Sequence, residues 1–181
     1  TVLSRGGDSG KPGLKPQGAS LIEGDVADPD FLAAVLDDAD AVVNLIGILN
    51  EKGDRGDGFE RVFVGITEAL IDAMQRMGVR RLLQMSALNA GRGESHYLQA
   101  RGRAEQRVRA SGLDWTLFRP SVIAGPGDGL FCRFDGLLKL APVLPIGRAD
   151  ARFQPVWVGD VVQAYAKALD EPRSIGQACL R

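Results

Sequence analysis

The sequence predicts a doubly wound α/β domain with a parallel sheet. Three observations predict it. Short apolar runs alternate with helical-period segments along the chain, and the breaks fall on Gly, Pro and Asp clusters. One run, "AVVNLIGI", has the length and continuity of a strand buried on both faces. Such alternation implies parallel pairing with right-handed crossovers. At 181 residues, 45% of them hydrophobic and 25% charged, the chain is long enough for one domain with its own core. No repeat, low-complexity tract or linker divides it.

The elements follow in order. "TVLS" is a short strand that stops at the turn-forming "RGGDSGKPG", and "SLIEGDV" is a second apolar segment. "DPDFLAAVLDDAD" is a helix that Asp28 or Asp30 can cap, with Phe31, Leu32, Val35 and Leu36 on its apolar face. After "AVVNLIGI" comes the polar loop "NEKGDRGDG", Asn50 to Gly58, on the side where ligands bind in α/β sheets. A plain solvated loop is the other reading of it. "FERVFVGITEALIDAMQRMG" has helical spacing and ends at Gly78. "VRRLLQMSAL" is a strand, and "SHYLQARGRAEQRVRASG" a helix closed by Gly112. "LDWTLFRPSVI" is a strand halted near Pro120, "GLFCRFDGLLKL" a short helix and "RFQPVWV" extended. "GDVVQAYAKALDEP" is a helix stopped by Pro172, and "QACLR" begins another strand.

Bulk properties narrow the function. A net charge of −1 without a polybasic run gives no pull towards nucleic acid or anionic membrane. The apolar runs are far too short to span a bilayer. Cys132 and Cys179 match no metal spacing, and a lone histidine, His96, cannot build a metal site or a Ser-His-Asp set. A reducing, cytoplasmic setting fits this cysteine usage. "GPGDG", Gly125 to Gly129, lacks the Lys-Ser/Thr ending of a phosphate loop and reads as a tight turn.

Ligands of open parallel sheets bind at the carboxyl ends of the strands. There the chain places Arg5, Asp25, Gly47, Ser86, Arg119, Pro120 and Ser121. Taken with "EGDV", "VNLIGI", "QMSALNA", "Y-x-x-x-R", "WTLFRPSVIAGPGD" and "RFQPVWVGDV", they carry a resemblance over nearly the whole chain. The chain resembles the extended and atypical short-chain dehydrogenase/reductases. More narrowly, it is similar to the NAD(P)H-binding accessory subunits of respiratory complex I and their bacterial relatives. "RPSVIAGPGD" and "FQPVWVGDV" are the most specific pieces.

The resemblance implies a single Rossmann-like NAD(P)-binding domain over residues 1–181, with roles for particular residues. Arg5 would sit near the adenosine ribose and favour NADP(H), NAD(H) being the alternative. A surface loop Arg is the other reading. Asp25 and the backbone of Val26 would meet the adenine edge, although Asp25 also suits the turn "DVADPD". Leu45, Ile46 and Gly47 would line the cofactor's middle, and Pro120, Ser121, Val122 and Ile123 its nicotinamide end. Gln154, Pro155 and Val156 would help close the substrate side. Ser86 would orient a substrate carbonyl or alcohol, and Tyr97 would pass its proton.

A phenol with pKa near ~10 needs a cation to act as a base at neutral pH. The family supplies a Lys four residues on; here that position is Arg101. Arg101 shares a helix face with Tyr97 and can hold charge there and donate to ribose oxygens. It cannot relay a proton, because guanidinium keeps its own. Cofactor binding is therefore kept more readily than turnover. The plain alternative makes Arg101 one of several exposed bases with Arg103, Arg107 and Arg109.

The family's first strand and glycine-rich phosphate loop have no counterpart, and "RGGDSGKPG" follows the segment matching the second strand. The expectation is that natural sequence is missing at both ends. Three functions remain in play. The first is an oxidoreductase acting on a small or lipid-like substrate. The second is a non-catalytic NADPH-holding subunit or assembly factor of the respiratory chain, peripheral to the inner membrane. The third is a sugar-nucleotide epimerase or dehydratase.

Overall fold

The computed structural model describes residues 1–4, 18–51, 53, 55–128, 131–140 and 153–180. Every strand pair in it is parallel. β1 (Val2–Ser4) pairs with β2 (Leu21–Glu23). The main sheet orders β3 (Ala41–Asn44), β4 (Arg81–Met85), β5 (Asp114–Arg119) and β8 (Gln177–Leu180). A third ladder joins β6 (Ile123–Ala124) to β7 (Val156–Trp157).

Side-chain alternation along the two central strands builds a core on each face of the sheet. Leu82 and Leu117 point into the larger core, with Leu32 of α1 (Pro29–Val35), Leu70 and Met74 of α3 (Ile66–Met77), and Ala104 and Val108 of α4 (His96–Ala110). Their neighbours Leu83 and Phe118 point the other way, onto Ala168 and Tyr165 of α6 (Val158–Asp170). The Tyr165 ring stacks on Phe118, and its burial holds the phenol well above the usual tyrosine range. Helices on both faces of a parallel sheet make the doubly wound architecture expected of this sequence. Between β6 and β7 lies α5 (Phe131–Leu140).

Local chemistry sets the ends. Asp28 caps α1: its Oδ1 accepts from Asp30 N at 3.0 Å and Phe31 N at 3.4 Å, and Pro29 takes a first-turn position needing no amide donor. Gly78 ends α3 in the left-handed region with φ 75°. Arg81 ties β4 to the far side of the domain, donating to the Asp114 carbonyl at 2.7 Å, Thr116 Oγ1 at 3.0 Å and Ser174 Oγ at 2.7 Å.

Four expectations change. "AVVNLIGI" forms a strand only over Ala41–Asn44, and it is not buried on both faces: Val43 and Leu45 are 45% and 59% exposed. The physical reason is its place at the outer end of the main sheet, with β4 its one strand partner among the described residues. "RFQPVWV" does not stay extended to its end: Val156–Trp157 pairs as a strand and Val158 already opens α6, while Arg152 lies outside the described residues. Pro172 does not simply stop the last helix; it opens a 3₁₀ turn, Pro172–Ser174, after α6 ends at Asp170. The long helix expected from Phe59 to Met77 is not uniform. It starts as α2 (Asp57–Phe59), widens into a π-turn over Glu60–Gly65 and continues as α3.

Candidate functional site

Two places collect the predicted residues, and the first is the carboxyl end of β4 and β5. Ser86 follows β4 directly, its amide donating to the Phe118 carbonyl at 2.7 Å, so the ladder runs one residue past the strand. Its Oγ donates to Glu105 Oε1 at 2.5 Å. Glu105 lies on α4 and is 3% exposed. Arg119 grips the same carboxylate with Nε at 2.7 Å and with Nη2, and Arg109 approaches to 3.8 Å. The hydrogen bond to Glu105 holds the Arg119 guanidinium above its usual pKa. Ser86 is itself 4% exposed, so its hydroxyl proton is committed to a buried ion pair.

Beside this pair lies an aromatic nest. Phe59 stacks on Phe63, and the Tyr97 ring meets both edge-on, with centroids 5.7 and 5.3 Å away. Arg101 is 7% exposed, not one of several exposed bases. One α4 turn beyond Tyr97, it faces inward and lays its guanidinium on Phe63, 3.9 Å from the ring centroid and 5.5 Å from that of Tyr97. Its Nη1 donates to the Met85 carbonyl at 2.8 Å, and its Nε is buried with no hydrogen-bond partner. Gly47 makes room for this group: a Cβ there would lie 2.8 Å from Arg101 Nη2. Asn44 fixes the adjoining backbone, accepting from Ile46 N at 3.0 Å while donating to Gln84 Oε1 at 2.9 Å.

So the structure brings Gly47, Tyr97 and Arg101 together around Phe63. Ser86 is turned to Glu105, and among the described residues no hydrogen bond joins it to Tyr97. Pro120 is buried, while Ser121, Val122 and Ile123 are half-buried beyond β5; Val122 accepts from Val156 N at 2.9 Å. Gln154 and Pro155 are exposed and Val156 half-buried before α6. The Asn50–Gly58 loop is closed on itself by Glu51, whose carboxylate accepts from Gly56, Gly58 and Phe59 amides at 2.9, 2.7 and 3.1 Å.

The second place is at the end of β2. A recess of about 480 Å³ is lined by Gly24, Asp25, Val26, Ala27, Arg61, Val62 and Ile66. Asp25 is exposed, and its Oδ1 accepts from Ala27 N at 2.9 Å. Val26, Val62 and Ile66 make an apolar floor. An apolar floor with a carboxylate and a guanidinium on the rim suits a flat heterocycle carrying polar edges, so these residues fit the adenosine end of a dinucleotide. Arg5 lies outside the described residues.

Sequence reasoning missed Glu105, Phe63 and Arg61. Glu105 carried a signal: it shares the inward face of α4 with Arg101, and a carboxylate on an apolar face needs a partner.

Comparison with known proteins adds a family. Residues 2–131 match a family model described as NAD(P)H-binding. Over 161 residues the chain is 30% identical to a mouse protein, NADH dehydrogenase (ubiquinone) 1 alpha subcomplex subunit 9, mitochondrial, which covers 87% of this chain and 42% of the mouse protein. It is 29% identical over 188 residues to the 3 beta-hydroxysteroid dehydrogenase/Delta 5→4-isomerase of Mycobacterium tuberculosis, covering 87% of this chain and 51% of that one. The chain thus spans about half or less of the length of these relatives. The solved structure of MoeE5 in complex with UDP-glucuronic acid and NAD superposes with a TM-score of 0.75 at 23% identity, covering 91% of this chain and 64% of the other. That likeness is one of fold. No described helix is long and apolar enough to cross a membrane.

Proposed function

The chain belongs to the NAD(P)H-binding family, and from that premise we propose that it is an NADP(H)-holding protein whose bound nucleotide is not turned over efficiently. Residues 1–181 act in this reading as one dinucleotide-binding domain. Asp25 and the Val26 backbone hold the adenine edge, Arg5 reaches the ribose and favours NADP(H), and Leu45, Ile46 and Gly47 border the middle. Pro120, Ser121, Val122, Ile123 and Tyr97 face the nicotinamide end, with Arg101 supplying charge. A bound nicotinamide would offer a hydride for reduction. One observation carries the preference for holding over turnover: the Ser86 proton goes to buried Glu105, and buried Arg101 has none to relay. The name of the mouse relative supports a place among respiratory-chain subunits, peripheral to the inner membrane.

A second reading keeps an oxidoreductase acting on a small or lipid-like substrate. Tyr97 favours it, because its ring is half-buried against the cationic Arg101 and α4 holds it at the strand ends. In that reading the phenol donates or accepts the proton. A sugar-nucleotide epimerase has only the fold likeness in its favour.

Titration of the protein with NADPH and NADH, followed by nicotinamide fluorescence, separates these readings. The holding proposal expects saturable binding, NADPH ahead of NADH, and, with a panel of ketones and quinones supplied as hydride acceptors, NADPH oxidation no faster than in the Tyr97→Phe variant. Failure to bind either nucleotide would sink it. NADPH oxidation that Tyr97→Phe abolishes, with binding intact, would establish the second reading instead.

A further inference from the structure

Arg61 has no role in the reading above, yet it stands on the wall of the recess at the end of β2. It is exposed, and its side chain makes no hydrogen bond or ion pair with any described residue. Its neighbour Glu60 behaves differently, accepting from Arg103 Nε at 2.9 Å. The helix geometry aims Arg61. In the π-turn the Ile66 amide donates to the Arg61 carbonyl, five residues back. On an α-helix, at 100° per residue, residues five apart point about 140° away from each other. The wider turn brings Arg61 and Ile66 nearly into line, and both line the recess with Val62. The result is an apolar wall that carries a guanidinium unpaired among the described residues, in a recess that Asp25 also lines.

A base can lie against Val26, Val62 and Ile66. Asp25 Oδ1 is already occupied by the Ala27 amide, which leaves the other oxygen for an exocyclic amine. Among the described residues the guanidinium is the one cation on the recess wall, and a planar fork of donors suits a phosphate better than a neutral ribose hydroxyl. We propose that Arg61 is a specificity-determining residue that binds the phosphate on the adenosine ribose of NADP(H). The proposal rests on the dinucleotide-holding reading and extends it to a residue on the helix that faces β2.

The test uses adenosine fragments, which need only this end of the site. The dissociation constants of 2′,5′-ADP and 5′-AMP are measured by calorimetry for the wild-type chain, Arg61→Ala and Arg61→Lys, with circular dichroism to check folding. The expected result is tighter binding of 2′,5′-ADP than of 5′-AMP by the wild type. Arg61→Ala should lose about tenfold for 2′,5′-ADP, the scale of one charge-assisted hydrogen bond, and less than twofold for 5′-AMP. Arg61→Lys should fall between. Equal losses for both ligands would mean that the guanidinium stacks on the base, and would overturn the proposal. Unchanged binding of both would overturn it too, leaving the holding reading standing. A wild-type chain that binds neither fragment nor NADPH would overturn the holding reading and this proposal with it.

Discussion

The carboxyl ends of β4 and β5 and the recess at the end of β2 are built from the same residue types, used in opposite ways. At β4 and β5 all but one of these polar groups find partners: Ser86 and Arg119 on Glu105, Arg101 on the Met85 carbonyl and the Phe63 ring, with Arg101 Nε alone left buried without a hydrogen bond among the described residues. At the recess the Arg61 guanidinium faces solvent and makes no bond to a described residue. Buried polar groups carry a desolvation cost unless they are paired, so the first region is organised for stability and rigidity. Exposed, unpaired groups cost little and remain available to a ligand. The comparison teaches where to look for binding in this domain: at the polar groups that the fold leaves unpaired.

Substitutions can break or sharpen this contrast. The largest effect is expected at the closed end. Glu105→Ala leaves Arg119 and the Ser86 hydroxyl facing a cavity, and should cost about 3–5 kcal/mol of unfolding free energy, measured by urea denaturation. A loss under about 1 kcal/mol, the size of a surface pair, would mean that the network is not a closed unit. Next is Gly47→Ala. The new Cβ would press on Arg101 Nη2, which is held between Phe63 and the Met85 carbonyl, so a loss of about 1–3 kcal/mol is expected. If a paired Arg101→Met substitution does not relieve that loss, the crowding has another source. The smallest effect is at the open end: Arg61→Ala should change stability by less than about 0.5 kcal/mol. A larger loss would show Arg61 to be a structural residue and erase the contrast.

Much of the fold was legible in the sequence, because helical periods and terminal glycines are local signals. Gly78 ends its helix as expected, and Asp28 caps the one before it. β3 was misjudged for a physical reason. Continuous apolarity shows that a strand favours burial, but which strands flank it is a tertiary fact, and here the exposed Val43 lies in the outer strand. The site divides in the same way. Residue type and spacing brought Tyr97 and Arg101 to one face. Whether the Arg101 cation points out to a ribose or inward onto Phe63 depends on what lies across α4. Phe63 and Gly47 lie there, and neither is near Arg101 in the chain. Arg61 was invisible to a search at the α-helical period, since its direction comes from a turn of a different period.

The π-turn at Glu60–Gly65 has a further consequence. A π-turn is an α-helix with one residue inserted. Removing a single residue there would let the helix run straight, and would swing Phe59, Glu60 and Arg61 round by about 100° relative to α3. The Phe59–Phe63 stack and the aim of Arg61 would be lost together, though every side chain chemistry survived. Among kindred chains, then, a gap of one position in this helix should divide those that keep the cation over the recess from those that do not. Lineages could gain or lose this feature by changing the length of the helix while leaving its composition alone.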